Sequence, residues 1–236
     1  MGGLGHPLPT LRSWPVVRDK YKFLDIHRGE TCVIIGNGPS LDKIPSEWLD
    51  KHITFGSNQI YRKPYQPDYY CIIDEAMMYR CLPTLREGWR PKKEMFIRAE
   101  CGIEDNNWIY PVIFNGYSRD INSFVVIGAT VTYAMMQIAT FMGFAKILLV
   151  GIDHYYPKSM TGKSGGFTAK GKDPDHFTCD DGKPYFEPGK EYARPEDTTL
   201  SYRAAGMFFG EFGIECINLT EGTKLDVFKK GNIKEY

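Results

Sequence analysis

Thr31-Cys32-Val33-Ile34-Ile35-Gly36-Asn37-Gly38-Pro39-Ser40-Leu41 carries an apolar run straight into a glycine-rich turn. Val33-Ile34-Ile35 is short and β-branched, the pattern of a strand buried on both faces. Gly-Asn-Gly-Pro-Ser then frees backbone N–H groups, and Leu41-Asp42-Lys43-Ile44 begins a short helix. Strand, glycine turn and helix start together form an anion cradle, because the first N–H groups of a helix lack internal partners. The competing reading is a plain αβ turn in which glycine serves only positive φ and Asn37 only caps. The spacing is neither Gly-x-x-x-x-Gly-Lys-Ser/Thr nor a complete Gly-x-Gly-x-x-Gly, since Leu41 stands where the third glycine belongs. That disfavours a dinucleotide site.

Working outward, Ile53 to Gln59 reads as a second strand ending in a polar turn, and Pro67 to Asp74 as a third. Strands that finish in Gly, Asn or Asp fit an open α/β sheet with ligands beyond the strands' carboxyl ends. Glu94 to Arg98 and Trp108 to Val112 supply further strands. Thr130 to Gly143 is the strongest helix, with Val131, Ala134, Met135, Ile138, Ala139 and Met142 on one broad apolar face. Ala145 to Gly151 is a central strand running into Ile152-Asp153-His154-Tyr155-Tyr156. Thr199 to Phe212 is a second amphipathic helix, Ile214 to Leu219 the last strand, and Lys224 to Phe228 a packed tail. The expectation is an α/β fold: one doubly wound, mostly parallel sheet of about seven strands.

Residues 1–20 form a poorly structured lead-in, and 21–236 a single domain. From about 157 to 198 no hydrophobic period survives, and so long an irregular insertion reads as a lid. Composition is that of a soluble globular chain: 236 residues, 42% hydrophobic, mean hydropathy −0.35. Lys+Arg and Asp+Glu both number 29, so no global field favours nucleic acid or an anionic membrane. Neither a signal peptide nor a membrane span is recognisable, and the chain reads as cytoplasmic, with a homo-oligomer left open. The six cysteines show no paired metal spacing and read as buried thiols.

Four stretches then resemble, in order, the bacterial CMP-sialic-acid sialyltransferases of glycosyltransferase family 42 and the broader MptE-like (6-hydroxymethylpterin diphosphokinase-like) superfamily. They are Ile35 to Leu41, Ser57 to Tyr61, Met142-Gly143-Phe144 and Gly151 to Tyr155; the tail Cys216 to Phe228 is similar to the broader family's ending. The resemblance implies a Rossmann-like nucleotide domain with a mobile lid. It implies CMP held by Gly36, Asn37, Gly38 and Asn58, with Ser40 and Asp153 in the same nucleotide site and Gln59 near the sugar. Thr130, opening the long helix, would face the sugar carboxylate, a contact worth roughly 0.3–1 kcal/mol at an exposed helix N-terminus. Tyr155, with Tyr156 beside it, would donate to the departing phosphate. His176 would be the general base, although the sialyltransferases carry two lid histidines and this chain has Asp180 at the other position.

The implied reaction moves a nonulosonic, sialic-like sugar from a CMP-activated donor to a glycan acceptor, without a metal or other cofactor. Two alternatives stand beside it. One is a Mg²⁺-dependent ATP pyrophosphokinase acting on a hydroxymethylpterin-like molecule, with Asp74 and Asp153 as metal carboxylates. The other is a non-catalytic nucleotide-sugar-binding relative.

Overall fold

A computed structural model describes residues 20–113, 115–155, 175–183, 185 and 195–236. The chain enters the sheet at β1 (Thr31–Ile35), whose last four residues are buried. A 3-10 turn over Pro39–Lys43 and the single-turn α1 (Ser46–Leu49) lead to β2 (Ile53–Ser57). A second 3-10 turn, Asn58–Arg62, precedes β3 (Tyr69–Ile72), α2 (Glu75–Arg86), β4 (Glu94–Arg98) and β5 (Asn107–Ile109). The two-residue strands β6 (Pro111–Val112) and β7 (Val125–Val126) pair separately. Then follow α3 (Val131–Phe141), β8 (Lys146–Val150), α4 (Pro195–Phe212), β9 (Glu215–Asn218) and β10 (Lys229–Lys230).

The principal sheet has eight strands in the order β10-β9-β8-β1-β2-β3-β4-β5, every pair parallel. The chain steps outward from β1 to β5, returns to the other flank of β1 as β8, and continues to β10. Strand order therefore reverses between β1 and β8, where Thr31 to Ile35 register against Lys146 to Val150. In such sheets ligands sit at the carboxyl ends of the strands flanking that reversal.

Both faces are covered, which is why the strands read as unbroken apolar runs. Cys32 and Ile34 face a core built with α3 and α4, including Tyr133, Ile138, Tyr202 and Phe209. Val33 and Ile35 face the opposite core, built with α2 (Met78, Cys81, Leu85) and the segment carrying Phe177 and Tyr185. α3 is buried almost all round; its one buried amide, Gln137, bonds to the Val126 and Ser118 N–H groups and to the Val126 and Tyr133 carbonyls at 2.9–3.0 Å. That satisfaction is what a polar group needs so deep in a core. All six cysteines are buried and none forms a disulfide. No described helix is long and apolar enough to cross a membrane.

The fold is thus the doubly wound, Rossmann-like α/β arrangement, with local differences from the expectation. The sheet has eight strands rather than seven, because the short edge strand β10 joins it, and the expected strand at 108–112 is split between β5 and β6. The second strand stops at Ser57, and Asn58 onward turns away as a 3-10 segment. α4 begins at Pro195 rather than Thr199. The rest of the expected lid, over 156–174, 184 and 186–194, lies outside the described residues.

The central position of β1 gives a stability test. Ile34 is wholly buried, so Ile34→Ala should cost about 2–5 kcal/mol in urea unfolding. Ile113, 91% exposed, should change stability on replacement by Ala by no more than about 0.5 kcal/mol.

Candidate functional site

A cleft of about 640 Å³ lies over the carboxyl ends of β1, β2, β3 and β8. Its floor is the crossing of two loops at the strand-order reversal. The Gly36 N–H donates to the Val150 carbonyl at 2.8 Å and the Gly38 N–H to the Gly151 carbonyl at 2.9 Å. A Cβ on Gly36 would overlap the Gly151 carbonyl, and one on Gly38 would overlap the Asp153 carboxylate. Gly151 itself has φ +68°. Glycine is required here by close backbone approach as well as by backbone conformation.

Asp153 ties the loops from the other side. Its carboxylate accepts from the Ser40 hydroxyl at 2.7 Å and from the Ser40 N–H at 3.3 Å. Burial raises this carboxyl above its ordinary value, against the opposing pull of the Ser40 hydrogen bonds. Asp153 lines the cleft; Ser40 acts behind it and is not part of the lining.

The two asparagines share the cleft wall. Asn37 donates through Nδ2 to Ser57 Oγ at 3.1 Å. Asn58 sits at φ 52°, a left-handed conformation that asparagine tolerates better than most residues, and its carbonyl accepts from the Tyr70 hydroxyl. The Oδ1 atoms of both asparagines are buried without a hydrogen-bond partner among the described residues.

Residues 175–183 and 185 form a strap across this wall. The Phe177 N–H donates to the Asn37 carbonyl at 2.9 Å, and the Thr178 N–H to Asp42 Oδ2 at 2.9 Å. Arg62 holds the outer part through Asp181 Oδ1 at 2.5 Å and the Lys183 carbonyl at 2.9 Å. Gln59 is not a cleft wall; its Nε2 donates to the Tyr185 carbonyl at 2.7 Å and so anchors the strap from beneath. Tyr185, 2% exposed, accepts from the Gln59 N–H at 3.4 Å through its hydroxyl and stacks on His176 with ring centroids 4.2 Å apart and planes 8° apart. The strap thereby presents the His176 imidazole to the cleft. Asp180 is exposed and is not part of the lining.

The opposite wall is the start of α3. Thr130 is its N-cap, accepting from the Thr132 N–H at 3.3 Å, and Val131 and Thr132 also line the cleft. No acidic residue occupies the first turn, so its N–H groups face the cleft without a competing anion. Tyr202 of α4 closes this side. Tyr155 stands at the mouth, 56% exposed, and Tyr156 lies outside the described residues. Asp74 lines the cleft but is also the N-cap of α2, its Oδ1 accepting from the Met77 N–H at 2.8 Å.

One geometry therefore gathers Gly36, Asn37, Gly38, Asn58, Thr130, Asp153, Tyr155 and His176 around a common space, and leaves Ser40 and Gln59 behind its walls. Sequence reading overlooked Arg80, Tyr185, Asp175 and Tyr202, all of which line it. Tyr202 had a signal, its place on an amphipathic helix. Tyr185 and Asp175 sit in a stretch without period and had none.

Two measurements follow. Gly38→Ala should lose about 1–3 kcal/mol in urea unfolding, through overlap with Asp153 and the Gly151 carbonyl. In an Asp153→Ala background that cost should shrink without vanishing, because the carbonyl remains. The second concerns His154, whose Nε2 is 2.8 Å from Thr199 Oγ1 and whose ring packs edge-on to Tyr202. Burial holds its imidazole below the ordinary 6.5, against the opposing pull of Asp226 and Glu196. The unfolded chain then binds the proton more readily, so this contribution is full above about pH 6.5 and is lost as pH falls through the folded value. The melting temperature of wild type should fall more steeply between pH 7 and 5 than that of His154→Gln. Asp153, with its raised value, acts with the opposite sign and is common to both proteins.

Comparison with known proteins follows the same lines. The fold matches the sialyltransferase CstII from Campylobacter jejuni, solved in complex with a substrate analogue, cytidine-5'-monophosphate. The TM-score is 0.50 at 17% identity, over 86% of this chain and 85% of that one. At that identity the likeness establishes the shared fold. No curated protein matches the sequence. Residues 8–159, well over half the chain, match the family model described as 6-hydroxymethylpterin diphosphokinase MptE-like. The chain belongs to that MptE-like family.

Proposed function

We propose that the cleft binds a CMP-activated nonulosonic acid and transfers the sugar to the hydroxyl of a glycan acceptor. The observation that carries this reading is one cleft that brings His176 of the strap together with the bare Gly36-Asn37-Gly38 floor and Asn58. A cytidine phosphate offers such a cleft both donors and acceptors, in its ribose hydroxyls, exocyclic amine and phosphate oxygens. The glycine floor lets a phosphate approach backbone that no side chain screens.

In this reading the acceptor hydroxyl gives its proton to His176 as its oxygen bonds to the anomeric carbon. The bond from that carbon to the phosphate oxygen breaks, and CMP leaves with the electron pair. Tyr155 donates to the departing phosphate, and Thr130 with the α3 N-terminus faces the sugar carboxylate. An imidazole is the side chain best suited to take a proton at neutral pH. The fold shared with the CMP-bound sialyltransferase supports the choice of nucleotide.

Family membership supports a second reading, transfer of pyrophosphate from ATP to a hydroxymethylpterin-like alcohol, for which Mg²⁺ is implied. Its carboxylates would be Asp74 and Asp153, but the first caps α2 and the second is tied to Ser40. Among the described residues no three His, Cys, Asp or Glu side chains gather as a metal group. The fit to the ion is poor, and no step is derived through it.

Nucleotide choice separates the readings. CMP without Mg²⁺ should stabilise the protein by about 2.7 kcal/mol at a hundred times its Kd, and ATP should not. His176→Ala should keep the CMP shift while release of CMP from the sugar nucleotide with acceptor present falls about 10²–10⁴-fold. Stabilisation by ATP only with Mg²⁺ would instead establish the kinase. An unchanged rate in His176→Ala would remove the imidazole from the mechanism.

A further inference from the structure

Arg80 is the only lysine or arginine among the described residues lining the cleft, where it shares the walls with Asp74, Asp153 and Asp175. It comes from the second turn of α2, on the sheet face that also carries the strap. Its Nη1 donates to the Tyr185 carbonyl at 3.3 Å, and the Tyr185 ring stacks on His176 at 4.2 Å. Guanidinium and imidazole therefore belong to one wall, fixed by one residue. Thr130 and the α3 N-terminus, assigned above to the donor's carboxylate, belong to the other face of the sheet.

We propose that Arg80 reads an anionic group on the acceptor, so that the acceptor is an acidic glycan carrying a carboxylate or phosphate near the reacting hydroxyl. This rests on the reading of the cleft as a CMP-sugar site with His176 as base. The molecule whose hydroxyl faces His176 lies against the strap and α2, within reach of Arg80. Three carboxylates in the same lining repel an acidic ligand, so its acceptance needs a cation on that wall. A guanidinium offers a planar fork of donors that fits carboxylate and phosphate in two-pronged fashion, which a neutral sugar cannot use.

The test compares methyl glucuronide, glucose 6-phosphate and neutral methyl glucoside by saturation-transfer NMR and calorimetry, each with and without CMP. Wild type should prefer at least one acidic probe over the neutral one by about tenfold, the gain of a charge-assisted pair. The two acidic probes tell carboxylate from phosphate. Arg80→Gln should abolish that preference while leaving CMP affinity unchanged, and Arg80→Lys should retain part of it. Equal binding of acidic and neutral probes to wild type overturns the proposal. So does loss of CMP affinity in Arg80→Gln, which would place the guanidinium on the donor. Failure of CMP to bind wild type overturns the cytidylate reading instead, and the arms run without CMP still decide whether Arg80 selects an acidic sugar.

Discussion

The contact between Gly36-Asn37-Gly38 and Gly151-Ile152-Asp153 is the constraint on which the rest of the molecule depends. Two strands adjacent in the sheet but far apart in sequence release their chains at the same point, and the loops must pass without side chains between them. Backbone hydrogen bonds from Gly36 and Gly38 fix that passage, and the Ser40–Asp153 link closes it. A floor made this way is bare backbone with N–H groups and carbonyls near the surface. It can approach a charged ligand more closely than any floor lined by side chains.

Around that floor the walls differ in origin and in chemistry. The α3 wall is rigid, because its helix is buried on nearly every side and its cap leaves N–H groups toward the cleft. The strap wall has no secondary structure of its own and borrows order from its anchors: Asn37, Asp42, Gln59 and Arg62. Asn37 joins strap and sheet, since its carbonyl accepts from the Phe177 N–H and its Nδ2 donates to Ser57. A ligand that stiffens Asn37 would also stiffen this anchor of the His176 wall.

The sequence was most informative where one cause dominated. Val33-Ile34-Ile35 is apolar because β1 is covered on both faces, and the following glycines are forced by the loop crossing, so strand and turn could be read directly. The helix at 131–141 was legible for the same reason. α2 was not, since Pro83 removes a helix N–H and reads as a breaker, yet the helix runs through it to Arg86. With α2 unseen, Arg80 could not be placed. Gln59 shows a different limit: adjacency to Asn58 suggests a shared site, yet the left-handed backbone at Asn58 and the 3-10 turn after it send Gln59 under the strap. Strap residues such as Tyr185 have partners more than a hundred positions away, and no local pattern encodes such contacts.

That one cleft can be read as a glycosyltransferase site or as a pyrophosphokinase site has a chemical basis. Both reactions bring an alcohol to an electrophile attached to a nucleotide phosphate, and they differ in whether carbon or phosphorus is attacked. A floor for the phosphate and a base for the alcohol serve either. Attack at phosphorus builds charge on the phosphoryl oxygens themselves, which calls for metal or several cations close by. Attack at the anomeric carbon leaves a positive sugar centre and a departing phosphate that neutral hydroxyls and helix N–H groups can stabilise. The described walls offer one guanidinium, three carboxylates, tyrosine and threonine hydroxyls, and a helix N-terminus. Carboxylates can stabilise a positive sugar centre directly, or serve attack at phosphorus by holding Mg²⁺, so the nucleotide and the ion that bind decide between carbon and phosphorus as the electrophile.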